Sequence, residues 1–382
     1  MQLFLSYSNA DRTSVIAVQK LLQARGITTF LDHDNLVSGL PWPQALEQAL
    51  RAVAGVAVFI GRELGGWQKR EMWFALDRQM REEQEDNPFP VIPVLLHGAD
   101  LTPSFLFLNT WIDLRRGLDD VFTAEALDAF EQTIKATKPV RSYEGLAVRA
   151  AAICPYRGLQ IFREEDAAFF AGRKAFSKQL LDFTLDKNLV AVVGPSGSGK
   201  SSVVQAGLIP LLRREQPPAI TWDAVSFTPG GNPFHRLASA LIPLLEPDLS
   251  ETARLAEAEK LGRNLAAAEI SVEAVINRVI EKSNGTGRLL LVADQFEELF
   301  TNTPEADQLP FAKALLHARG RAPVTILITL RADFYSQIIS LDRELSDVLA
   351  SAQVNIGALT PDELRESITA PARLVGPNLN RV

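Results

Sequence analysis

Cysteine occurs once in 382 residues, at Cys154, which excludes an internal disulfide framework and any cluster of thiolates around a metal. The four histidines, His33, His97, His235 and His317, have no metal-ligand spacing. No run of 18 or more apolar residues is present, so no membrane partner is expected. The opening MQLFLSYSNADR lacks a basic stretch followed by a long apolar one. It therefore does not read as a secretory signal, and with the single thiol it points to a reducing, cytoplasmic setting. Positive charge is not in excess. The net charge of −7 gives no electrostatic basis for nucleic acid as the main partner. Internal repeats and low-complexity segments are also missing. What remains is 47% hydrophobic and 22% charged residues, ordinary for a soluble globular chain long enough for two domains with separate cores.

The densest signal is GPSGSGKSS, running from Gly194 to Ser202 and preceded by the apolar run LVAVV. It matches G-x-x-x-x-G-K-[ST] at Gly194, Gly199, Lys200 and Ser201. A chain of this length meets those four positions by chance about once in a hundred. A phosphate loop needs these residue types. Glycines let backbone N–H groups curl around phosphate oxygens, Lys200 reaches the outer phosphates, and the Ser201 hydroxyl can ligate Mg²⁺. The expected ATP contacts in the loop are Gly194, Ser196, Gly197, Ser198, Gly199, Lys200, Ser201 and Ser202. A second apolar strand, LLLVA, ends in Asp294, which suits a carboxylate holding Mg²⁺ with Ser201. The residue after it is Gln295 rather than an acid, and carboxylates return only at Glu297 and Glu298. Glu298 is counted with the ATP site, the water-orienting base stays unassigned, and ATP hydrolysis is expected to be slow.

Before the loop, apolar strands and helical stretches alternate. LFLSYS and VIAVQKLLQARG, closing at Gly26, are followed by ITTFLD, PQALEQALRAV, GVAVFIG, QKREMWFALDRQMREE, PVIPVLL and TWIDL. That alternation predicts a parallel sheet covered on both faces. Residues 251–282, rich in Ala, Glu and Leu, read as helices. Residues 139–153 begin with a proline and show no sustained period, so a linker is placed there between domains at 1–138 and 154–382.

FLSYSNADR, FLDHDNLVSGLPW, VFIGRELGGWQKREMWFAL and TWIDLRRG, in that order, resemble a bacterial TIR domain over about residues 1–135. The resemblance implies a flavodoxin-like, five-stranded parallel sheet. Many members of that family cleave NAD⁺ at the nicotinamide–ribose bond with a glutamate four residues after a tryptophan, a spacing that Trp67 and Glu71 fit. On a helix Trp67, Glu71 and Phe74 share a face, so two rings would flank the carboxylate, desolvate it and offer a surface for a base or nicotinamide ring. Read from spacing alone, an exposed Glu beside aromatic residues of an amphipathic helix is the commoner case. Ser8 and Asp11 follow the first strand, where open α/β sheets bind ligands. Asp32, after the second strand, either joins them as an NAD⁺ contact or braces its own loop. Trp42 reads as a packing or assembly contact.

CPYRGLQIFREEDAAFFAGRKAF, the phosphate loop, LLLVADQFEELF and LITLRADFY together resemble a P-loop NTPase of the STAND class, over about residues 154–375. In that class Tyr156 and Arg173 lie in segments that approach the adenine; surface packing is the other reading. Arg331, ending the strand VTILITL, either senses the γ-phosphate or forms a salt bridge with Asp333. TPDELRESITAPARLVG resembles the start of a helical lid, and the expectation is that a sensor region recognising an unknown trigger is missing beyond Val382.

The pair of resemblances implies a switch in antiviral defence. ATP replaces ADP, protomers form a homo-oligomer, and clustered TIR domains cleave NAD⁺. Two other readings stay open. One is a non-enzymatic TIR adaptor whose self-association is gated by nucleotide. The other is a housekeeping ATPase or transporter motor, which the absent acid after Asp294 and the absent membrane segment count against.

Overall fold

A computed structural model describes residues 2–31, 49–50, 52–62, 68, 71–72, 75–76, 78–79, 89–99, 112–115, 127–128, 154–215, 220–247, 249–283 and 286–375. Its contacts divide the chain into two compact units, Met1–Gly158 with Ile368–Val382, and Leu159–Ser367. The linker expected over 139–153 lies outside the described residues.

The first unit is built on β1 (Gln2–Ser6), α1 (Arg12–Ala24), β2 (Thr28–Leu31), β3 (Gly55–Ile60), β4 (Val91–Leu95) and β5 (Ile112–Asp113). The strands form one parallel sheet in the order β2-β1-β3-β4-β5. Alternate side chains serve opposite faces, as a two-residue period requires. Leu3, Leu5, Ala57 and Phe59 pack with Val15, Val18 and Leu22 of α1. Phe4, Val56, Val58 and Ile60 pack on the other side with Met72, Ala75 and Leu76. Burial on both faces explains why these strands read as unbroken apolar runs. Gly26 ends α1 as the sequence suggests: at φ +77° its N–H reaches the Gln23 carbonyl, and the Ile27 N–H reaches that of Leu22. The chain leaves β1 for β2 and returns to β3, so the order reverses beside β1, the kind of position at which open α/β sheets bind ligands.

The second unit runs through α2 (Lys174–Asp186), β6 (Leu189–Gly194), α3 (Lys200–Ser202), a π-helical turn (Val203–Leu208) and α4 (Ile209–Glu215). Next come β7 (Trp222–Phe227), α5 (Pro233–Leu245), α6 (Glu251–Ala266), α7 (Val272–Lys282) and β8 (Arg288–Ala293). It closes with α8 (Glu298–Thr301), α9 (Glu305–Ala318), β9 (Val324–Arg331), α10 (Tyr335–Leu341), α11 (Arg343–Ala352) and β10 (Gln353–Asn355). A final helix, α12 (Pro361–Val375), continues past the division between the units. The second sheet is also parallel, ordered β10-β6-β9-β8-β7. Leu291, Ile326 and Ile328 meet Leu237, Ile276 and Phe311 on one face, and Val190, Val192 and Leu327 meet Leu180, Val204 and Leu208 on the other. Ser250 and Ser271 accept N–H bonds from Ala253 and Ala274 and so start α6 and α7.

Among the described residues no helix is long and apolar enough to cross a membrane.

A nucleotide site in the second unit and a buried carboxylate in the first

β6 stops at Gly194, and the chain turns over Pro195–Gly199 into α3. Two glycines make the turn possible: Gly197 and Gly199 sit at φ +72° and +86°, with open space where a side chain would stand. A third, Gly194, is held so close to Ile356 that an added Cβ would lie 2.6 Å from its carbonyl oxygen. The Ser198 hydroxyl is buried without a hydrogen-bond partner. The Lys200 side chain folds back along the turn, its ammonium donating to the carbonyls of Gly194 (3.1 Å) and Pro195 (2.9 Å). Ser196 and Ser202 flank this cradle at the turn and in α3.

Asp294, one residue beyond β8, accepts a hydrogen bond from the Ser201 hydroxyl at 2.8 Å and another from the Thr329 hydroxyl at 2.6 Å. Thr329 also accepts the Gln295 N–H at 2.9 Å, holding that residue at φ +51°. A non-glycine residue in the left-handed region is strained, and here the strain sits beside the acid it positions. Thr329 is a group that reading the sequence misses; its sign there is a threonine inside the apolar run VTILITL, which Thr325 shares. The two acids at 297 and 298 separate. Glu297 accepts the Arg331 backbone N–H at 3.3 Å and acts electrostatically on Lys200, whereas Glu298 accepts from its own helix at Asn302, 3.1 Å away. Arg331 is engaged by Asp333 in a two-pronged ion pair (3.1 and 2.6 Å), the second of the two roles considered for it.

Burial holds Lys200 below the ordinary lysine pKa of 10.5; Glu297 and Asp294 oppose that shift and Arg331 adds to it. The sign of a pH effect follows. Phosphates favour the ammonium form, so the pKa rises on binding and the site takes up a proton at alkaline pH. Nucleotide affinity is expected to be flat near neutrality and to fall, by at most about tenfold per pH unit, starting below pH 10.5. A Kd series from pH 7 upward checks this, with a Lys200→Met chain giving the pH-independent control.

The segment before α2 braces the loop. The Phe162 N–H donates to the Ser202 hydroxyl at 3.2 Å, and Arg173, itself buried, donates to the carbonyls of Gly357 (2.6 Å) and Ser198 (3.5 Å). Glu164 forms a buried ion pair with Arg213 of α4. Gly207, in the π-helical turn, packs so tightly on Ser177 that a Cβ there would overlap its hydroxyl. Tyr156 instead donates its hydroxyl to the Ile368 carbonyl at 2.6 Å.

A cradle of N–H groups, a buried lysine and a serine–aspartate pair at the carboxyl end of a parallel sheet define a P-loop nucleoside triphosphatase module. The groups fit a magnesium nucleotide: the loop has room and an unsatisfied hydroxyl, and Ser201 and Asp294 are paired hard oxygen donors. More particularly, the chain belongs to the Novel STAND NTPase 1 family, whose model matches residues 155–381. A TIR domain model matches residues 3–132. Among solved structures, the chain is similar to the TIR domain of the Toll-related receptor TRR-2 from Hydra magnipapillata (18% identity, 35% of this chain and 98% of that one, TM-score 0.29). It is also similar to a Walker-type ATPase of Pyrococcus abyssi (15% identity, 54% and 58%, TM-score 0.37). The TIR domains of the activated Roq1 resistosome recognising the pathogen effector XopQ follow (21% identity, 39% and 80%, TM-score 0.23). The family models, rather than these distant structures, carry the assignment. No match was found among curated proteins. A TIR domain joined to a STAND NTPase module is an architecture of signalling proteins, and the NTPase module binds nucleotide.

In the TIR domain, the Ser8 hydroxyl donates to Asp11 at 2.7 Å just beyond β1. Gly61, beyond β3, lies so close to the Asp11 carboxylate that any side chain there would collide with it. Gln68, Glu71, Met72, Ala75 and Leu76 are helical, and their spacing sets Gln68, Glu71, Met72 and Ala75 along one face. Met72 and Ala75 belong to the core under the sheet, and the Gln68 amide donates to the Phe59 carbonyl near the end of β3. Glu71, one turn further on, is 2% exposed. Asp32, Trp67 and Phe74 lie outside the described residues.

Proposed function

We propose that the chain is a nucleotide-gated defence protein in which the STAND module controls association of the TIR domain, and that associated TIR domains hydrolyse NAD⁺ to nicotinamide and ADP-ribose or its cyclic form. The TIR domain is placed over 1–138 and the NTPase domain over 154–382. In the NTPase domain the loop from Gly194 to Ser202 holds phosphates, Ser201 and Asp294 hold Mg²⁺, and Glu297, the acid that acts on Lys200, takes the water-orienting role that the sequence leaves unassigned. ATP or ADP supplies the free-energy difference between resting and associating states, and it does so only through unequal affinity for them.

The observation that supports NAD⁺ cleavage is the burial of Glu71 on the sheet-facing side of its helix. A buried carboxylate, even a partnered one, stabilises a helix no more than an apolar residue of similar volume, so packing alone does not call for one there. In the cleavage, the N-glycosidic bond breaks with its electron pair leaving on the nicotinamide nitrogen, and positive charge builds on the ribose. Glu71 stabilises that charge, and the ribose carbon is then taken either by water, which loses a proton, or by an adenine ring nitrogen of the same molecule, which closes the cyclic form. At 2% exposure the carboxylate is closed to a dinucleotide in the single chain, which favours a monomer with little activity. The same closure suits the adaptor reading. Incubating the full chain with NAD⁺, dilute and then clustered on beads through a tag, separates them: nicotinamide should appear in the clustered sample alone. Clustered protein that releases none leaves the adaptor.

A further inference from the structure

The opposite end of the second sheet carries a feature that nucleotide binding does not use. At the amino end of β6 a cleft of about 580 Å³ opens between Lys187–Leu189, Arg319 and one side of α11. That side presents Arg343, Asp347 and Ser351 at successive four-residue steps, with Val348 and Ala352 beside them as an apolar strip. The volume is that of a small-molecule site.

Three cations border the cleft, Lys187, Arg319 and Arg343, with the acids Glu344 and Asp347; Lys187 is paired with Asp186 at 2.9 Å, which leaves the two arginines. The acids do not satisfy the arginines. Arg319 stands 3.7 Å from Glu344 and Arg343 stands 3.8 Å from Asp347, both beyond hydrogen-bond reach. The Arg319 Nε is also buried with no acceptor. The Arg319 side chain, 29% exposed, reaches the wall of the cleft with the rest of its guanidinium. A guanidinium is the donor whose planar fork fits phosphate and carboxylate oxygens.

We propose that this cleft is a second ligand site, taking a small phosphate- or carboxylate-bearing molecule whose anionic group is held by Arg319 and whose body lies along Val348 and Ala352. The site is wired to the nucleotide loop from both walls. Leu189 begins β6, which ends in Gly194 of the loop. α11 runs directly into β10, and two residues past that strand the Gly357 carbonyl holds Arg173.

The experiment titrates inorganic phosphate and, separately, citrate into the full chain carrying Lys200→Ala, which weakens the phosphate loop's own answer, with heat as the signal and chloride balancing ionic strength. At least one anion should bind, at least tenfold more weakly once Arg319→Met is added, and should slow amide exchange in 343–352. Arg343→Glu, at a position 94% exposed and so harmless to folding, should weaken it likewise. Binding of phosphate alone assigns a phosphate ester and binding of citrate alone a carboxylate. If neither anion binds at tens of millimolar, or if Arg319→Met and Arg343→Glu both bind like the parent, the site is refuted.

Discussion

Lys200→Ala is expected to weaken ATP and ADP binding by about a hundred- to a thousandfold, with a melting temperature no lower than that of the parent chain. The loss in affinity is that of truncating one partner of a desolvated, hydrogen-bonded charge pair, about 3–4 kcal/mol. The unchanged stability comes from the other side of the same geometry. Without phosphates the ammonium is buried against the Gly194 and Pro195 carbonyls, and its desolvation exceeds what neighbouring carboxylates return, as the lowered pKa states. Removing it gives up two hydrogen bonds and relieves a buried charge, so the two effects offset. Fluorescent-nucleotide titration and a thermal scan on the same preparation read both quantities. Affinity within tenfold of the parent would take the phosphates away from this loop.

The parts of this site that are local in the chain were legible as sequence, and the parts assembled across it were not. GPSGSGKSS sits within nine residues and declares its own geometry, and Gly26 closes α1 from one position. The alternation of apolar strands and helical stretches before the loop likewise foretold the first parallel sheet, whose strands β3 and β4 are buried on both faces. Thr329 is different, since its bond to Asp294 joins a residue of β9 to one just past the neighbouring β8, 35 positions away. The choice between Glu297 and Glu298 turns on about 100° of helical rotation at the turn after β8, which adjacent identical residues cannot reveal. The π-helical turn at Val203–Leu208 follows no local signal; it accompanies the close packing of Gly207 on Ser177, a contact made by α2. In the first unit, the aromatic flanks of Glu71 could be proposed from i, i+4 and i+7 spacing, yet the same spacing suggested an exposed surface pair as the commoner outcome. Only the packing of Met72 and Ala75 into the core turns Glu71 inward.

Glu71→Gln should lower nicotinamide release by clustered protein at least a thousandfold while leaving the fold and self-association intact. Glutamine keeps the length and planar head of glutamate, so the buried space at 2% exposure stays filled, and a neutral amide is cheaper to bury than an ionised acid. The charge is what it lacks. A ribosyl cation developing next to a neutral amide loses the ionic part of its stabilisation. An oriented electrostatic group in a water-excluded site is worth about two to three orders of magnitude in rate, and more where the charge is full. A residue serving structure alone would behave in the opposite way: the substitution would move the melting temperature and leave turnover per folded molecule unchanged. Gln68→Ala supplies the contrast. Its amide donates to the Phe59 carbonyl, so losing it should destabilise the TIR domain by about 1–3 kcal/mol through that unsatisfied backbone group, with turnover of the folded fraction changed far less than in Glu71→Gln. Rates per folded molecule, taken from matched unfolding and nicotinamide measurements on both variants, decide the matter. Equal rates for Glu71→Gln and the parent would remove the carboxylate from the chemistry and leave the TIR domain as a nucleotide-gated contact surface.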